Sequence, residues 1–207
     1  TYMLGIFANG LVAVQSGDAT AEGFWLYNGN NGYKYGGGTY ATYGTNWGAG
    51  GSPPNIVGVA VDMDNGALYF SLNNTWQDSD DPESGASKTG AAATDLLSTG
   101  YEWIPCYKGF NPSYEDIGVF NAGQDSSFAG NKTSQGNADA NDIGDFYYEP
   151  PTDYLALCTS NLPDPVITLP AENFNTILWS GTNPGAVAIS PTGVGFQPDV
   201  VWDKTRT

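Results

Sequence analysis

The chain contains no histidine, and only six of its 207 residues are lysine or arginine. Without histidine, this chain cannot assemble a Ser-His-Asp or Cys-His catalytic set, a histidine-ligated zinc site or a histidine pH switch. So few cations against 22 aspartates and glutamates leave a formal net charge of −16. Phosphate contact needs a basic surface, so nucleic acid is excluded as a partner. An anionic membrane surface is disfavoured on the same ground. Two cysteines, Cys106 and Cys158, are too few for a disulfide scaffold. They form either one bridge or two buried thiols, because spacing does not fix connectivity. No apolar run is long enough to span a bilayer, so membrane insertion is not expected. A start at Thr1 with no signal peptide reads as a processed or excerpted chain.

Glycine, β-branched, aromatic and turn residues dominate what is present, which favours an all-β sandwich or barrel. The organising stretch is 56–73, where two apolar runs flank Asp64-Asn65-Gly66. Val57, Val59 and Val61 alternate with smaller or polar residues, as do Leu68 and Phe70. Each arm therefore reads as a strand with one buried face, joined by an Asn-Gly turn of type I′. A lone hairpin is marginal in water, so it must belong to a sheet packed on a second layer.

Before this hairpin, residues 2–7 and Leu11-Val12-Ala13-Val14 read as strands. A domain opening on a strand leaves a sheet edge exposed unless another segment covers it. Residues 23–47 alternate aromatics with Gly and Asn. Their rings serve either as cross-strand pairs or as platforms for sugar rings, with Trp25, Tyr27, Trp47 and Trp76 the candidates for carbohydrate binding. After the hairpin, residues 101–107 read as a strand that Pro105 confines to an edge or bulge. Residues 117–121 and 154–158 read as further strands, and Pro163, Pro165 and Pro170 mark a linker over 163–172. Strands are expected again within 173–207, in too little sequence to enclose a core.

Two oxygen-rich clusters, Asp78, Asp80, Asp81 and Glu83, then Asp139, Asp142 and Asp145, are candidate calcium loops, although neither has the order of an EF-hand. Asn73 and Asn131 begin glycosylation sequons, relevant only in a secretory context. A glycoside hydrolase is disfavoured, because no strand carries a Glu-x-Asp-x-x-Glu-like pair of carboxylates.

Several of these stretches together resemble a known family. Gly32-Tyr33-Lys34-Tyr35, the hairpin 56–70, Asn74-Thr75-Trp76-Gln77 with Asp81-Pro82, Phe120-Asn121-Ala122-Gly123-Gln124 and residues 148–157 are similar to SPRY domains of the concanavalin-like type in tailed-phage and bacterial surface proteins. The resemblance implies a two-layer antiparallel β-sandwich over 1–162, non-enzymatic, on a virion surface or outside the cell. It also implies that the family's leading strands are missing while surplus strands trail over 173–207. Strand donation between copies in a head-to-tail filament is then expected. A receptor- or glycan-binding module of a tail fibre is the alternative.

Overall fold

A computed structural model describes residues 2–10, 22–48, 54–109, 118–163, 169–180 and 191–204. Among the described residues eight strands form: β1 (Tyr2–Ala8), β2 (Phe24–Asn28), β3 (Tyr33–Gly36), β4 (Thr39–Thr42), β5 (Val57–Asp62), β6 (Ala67–Leu72), β7 (Thr75–Trp76) and β8 (Trp103–Gly109). Among the described residues the only helical turns are three short 3₁₀ segments. One sheet has the order β4-β3-β2-β1-β8 and the other β5-β6-β7, with every pairing antiparallel. Ile6, Trp25 and Tyr27 of the first sheet share a core with Leu68 and Phe70 of the second. The expected all-β, two-layer antiparallel sandwich is therefore the fold.

The central hairpin pairs Val57 with Leu72 through to Asp62 with Ala67. Its turn departs from type I′. Gly66 has φ +75°, whereas Asn65 is not in the left-handed region. Asp62 sets this geometry. Its Oδ1 accepts the N–H groups of Asp64 and Asn65 at 3.0 and 2.9 Å, and its carbonyl accepts Gly66 N–H at 2.8 Å. A side chain at the end of the strand thus closes a four-residue loop that Asn-Gly alone would have made shorter.

Nor is only one face of β6 buried. Leu68 and Phe70 enter the inter-sheet core, while Ala67 and Tyr69 pack in a second cluster with Ala60 and Ala91 on the other face. Ala92 N–H donates to Leu68 carbonyl at 2.7 Å, and Leu68 N–H to Ala93 carbonyl at 3.1 Å, so residues 92–93 pair along the edge of the strand, while Ala91 packs on the other face. β2 is likewise buried at all five positions. The strand that opens the chain leaves no open edge, because β1 lies between β2 and β8. Pro105, which has no N–H to donate, sits on β8 at the edge of its sheet, as a strand proline must.

Two strands expected before the linker are absent among the described residues. Residues 118–121 and 154–158 are irregular. In the first, Asn121 Oδ1 accepts the N–H groups of Gly123, Gln124 and Asp125 and bends the chain. In the second, Ala156 N–H turns to a carboxylate, Asp139 Oδ2, instead of a neighbouring strand. The chain divides into two compact units, Thr1–Asn161 and Leu162–Thr207. The described residues of the second unit hold one 3₁₀ turn, Pro170–Glu172, and no strand, so the extra C-terminal strands are not formed there. Alternation supplies a face, but strand hydrogen bonds need a partner. The expected strand at 11–14, Ile117, Pro165 and residues 187–189 lie outside the described residues.

Candidate functional site

A buried polar chain runs from β2 to the loop after β7. Tyr27, fully buried, donates its hydroxyl to Thr45 carbonyl at 2.5 Å and to Gln77 Oε1 at 3.2 Å. Gln77 Oε1 also accepts Thr45 N–H at 2.8 Å, and its amide donates to Thr75 carbonyl at 2.6 Å. Beside it the Tyr43 hydroxyl donates to Asp80 Oδ2, and Phe70 N–H approaches the Tyr43 hydroxyl at 3.2 Å. Lys34 Nζ lies 5.3 Å from the Tyr43 ring centroid and donates to Ala91 carbonyl at 3.3 Å. The residues come from both sheets and from the segments that follow β4 and β7, and the network fixes those segments to the core.

Burial pushes the Asp80 carboxyl up to about 7, against the pull of the Tyr43 hydroxyl and Phe70 N–H. Burial, with the Asp80 charge beside it, raises Tyr43 well above the ordinary phenol range. Tyr27 is pushed up to about 12, mainly by burial. Asp80 is 9% exposed, and its Oδ1 has no hydrogen-bond partner.

Outside this network lies a cleft of about 500 Å³, lined by residues 80–83 and 149–152 with Asn74 and Trp76. Two bonds tie its walls: Thr152 N–H donates to Glu83 Oε1 at 2.7 Å, and the Tyr154 hydroxyl to Pro82 carbonyl at 2.9 Å. The first holds the Glu83 carboxyl below its usual range. Trp76 is half-buried, packing against the Ala60–Tyr69 cluster.

The acidic residues singled out from the sequence therefore separate. Asp80, Asp81 and Glu83 line the cleft, whereas Asp78 is exposed in a tight turn with φ +54°. Asp81 Oδ1 accepts Glu83 N–H at 3.0 Å. Asp139 is buried and serves as an anchor for the irregular C-terminal part of its unit. Burial would raise its carboxyl. Donation from the N–H groups of Ala156, Ile143 and Asn141 and from the Asn161 amide outweighs that and holds it at about 2. Asp145 is held low by the Ser126 hydroxyl and N–H, and Asp142 is exposed. Among the described residues no three acidic, Cys or His side chains converge in a way that would hold a metal ion. N–H donors of the chain itself engage Asp81 and Asp139 in these two loops.

The carbohydrate platforms fare differently from one another. Trp25 and Tyr27, at 7% and 0% exposed, are core residues and present no face to a sugar, which overturns that expectation for both. Trp47 is partly buried against the same core. Only Trp76 of the four lines the cleft. Cys106 and Cys158 are free thiols, so the bridge is not formed; burial pushes Cys106 up to about 11. Asn73 and Asn131 are exposed in turns, and their amides donate to Asn55 Oδ1 and Phe128 carbonyl. Sequence reasoning did not find the hydroxyl of Tyr43, Gln77 or the wall 149–152. Nothing in the local pattern links residues 27, 43, 77 and 80, which only the sheet registers bring together.

The SPRY domain family profile matches residues 9–80, about a third of the chain. The match takes in β2 to β7 and ends on Asp80, so it contains Tyr27, Tyr43, Gln77 and Asp80 of the buried network and Asn74 and Trp76 of the cleft, while residues 81–83 and 149–152 lie beyond it. SPRY domains are generally non-catalytic modules that mediate protein–protein interactions. The comparison with curated proteins returns no match. No helix among the described residues is long and apolar enough to cross a membrane.

Proposed function

We propose that this chain is a non-enzymatic structural module of a virion appendage or extracellular filament, in which copies join head to tail by strand complementation. The carrying observation is the state of the C-terminal segment. Phe174 and Leu178 are 77% exposed, and Val200, Val201 and Trp202 are 85%, 77% and 90% exposed. Large apolar groups presented together on irregular backbone favour a partner that removes them from water. An added strand would also satisfy the backbone N–H and C=O groups. The edges β4 and β5 carry no proline, and an exposed Val59 on β5 offers an apolar contact, which supports them as acceptors.

The test substitutes Leu178, Val200 and Trp202 together by serine and follows sedimentation against concentration. The parent chain is expected to form species that grow with concentration, and the triple variant to stay a monomer. A parent that remains monomeric throughout, or a variant that assembles equally well, refutes the reading. A glycan-binding module is the second reading. With Trp25 and Tyr27 in the core, it rests on Trp76 and Trp47 alone.

A further inference from the structure

We infer that the cleft beside Trp76 is a recognition site for an arginine side chain of a protein partner. Two independent features meet there. Trp76 has one side on the Ala60–Tyr69 cluster and also lines the cleft, offering aromatic surface on which a planar guanidinium can stack. Asp81 and Glu149 line the same space and are both exposed, placing carboxylates where a guanidinium fork can be met. Asp80 also lines the cleft, but its Oδ2 is engaged by Tyr43 and Phe70 and its Oδ1 is closed off from solvent, so it forms the wall without meeting the guanidinium itself.

Charge and shape restrict the occupant. At −16, the protein repels acidic partners and draws basic ones. A metal ion is a poor match, since no three acidic side chains converge among the described residues. Pro150 and Pro151 give one wall a stiff backbone, and the Thr152–Glu83 and Tyr154–Pro82 bonds hold the two walls in place, so the site is largely preformed. A guanidinium uses the aromatic surface and the carboxylates at once, which a compact ammonium does less well. This inference is independent of strand complementation; the serine variants in the C-terminal segment leave it untouched.

The experiment is a backbone-amide NMR titration of the full chain with the blocked peptide Ac-Gly-Ser-Arg-Ser-Gly-amide. A matched peptide carries citrulline, which keeps the shape and removes the charge. Shifts are expected to centre on the Trp76 indole N–H and on residues 149–152, with the citrulline peptide about fivefold to tenfold weaker. Glu149→Gln, at an exposed position, is expected to weaken the arginine peptide by about fivefold. Asp95→Asn, an exposed acid away from the cleft, should leave its affinity unchanged. Trp76→Leu should also weaken it; if that variant unfolds, Glu149→Gln decides. No binding, equal binding of citrulline, or equal weakening by Asp95→Asn, the mark of diffuse attraction, would overturn the assignment.

Discussion

Strand β6 and the segment around Val200 are both apolar stretches, yet they end in opposite states. In β6, Ala67, Leu68, Tyr69 and Phe70 are all fully buried, whereas Val200, Val201 and Trp202 are 77% exposed or more. Composition does not separate them. What separates them is a partner: β6 has β5 on one side, β7 and residues 92–93 on the other, the opposing sheet over one face, and Ala91 with Tyr154 by the other. The described residues of the C-terminal segment form no strand. Apolar pattern predicts what a stretch can bury; pairing decides whether it does.

The comparison breaks most visibly at Phe70. Its ring lies 5.4 Å from Tyr27 and 6.0 Å from Tyr43, centroid to centroid. Phe70→Ala should cost about 3–5 kcal/mol in urea unfolding, through lost transfer energy and the cavity left behind. A loss under about 1 kcal/mol, the range of exposed sites, would mean the core is not where it is described.

Next in size is a pH effect. Asp80 holds its proton up to about 7 in the folded protein, above the ordinary carboxyl value of 3.8. The folded state therefore binds more protons than the unfolded chain between these values. Its contribution to stability is full below about pH 4 and is lost as pH rises through 7, at most on the order of 4 kcal/mol. Asp80→Asn should flatten the unfolding midpoint across that window. An unchanged slope would show that another group carries it.

Asp139 has the opposite sign. Its carboxyl, held at about 2, supports the folded state above the unfolded value of 3.8 and loses that support as pH falls toward 2. Asp139→Ala should lower the urea midpoint at neutral pH and bring the variant and parent together in acid. Equal midpoints at neutral pH would deny it an anchoring role. Smallest of all, Trp202→Ser should shift the stability of the first unit by less than about 0.5 kcal/mol, since an exposed side chain leaves no cavity. A larger loss in dilute solution would place this tryptophan in a core.

Much of the sandwich was legible. The strands of the hairpin, the opening strand and the edge placement of Pro105 follow from alternation and from proline's missing donor. Three of the failures share one cause, side chains that accept backbone N–H groups. Asp62 reshaped the Asn-Gly turn, Asn121 bent the stretch expected as a strand, and Asp139 captured Ala156 N–H. Each is a short polar residue whose role depends on which N–H groups the fold brings to it. The candidate site was half legible. Trp76, Asp80, Asp81 and Glu83 were marked by composition, but for sugar and calcium. Their meeting with Glu149 and Thr152 depends on contacts across roughly 70 residues of chain, such as Thr152 N–H to Glu83, and local pattern does not encode those.

Hydrogen exchange on the full chain, at low and high protein concentration, tests the contrast most directly. The amides of Leu68 and Phe70 should be protected at both, while those of 174–180 and 191–204 exchange rapidly when dilute and slow as concentration rises. Strong protection of the C-terminal amides in the dilute monomer would contradict the account, because those residues would already have found their partner within one chain.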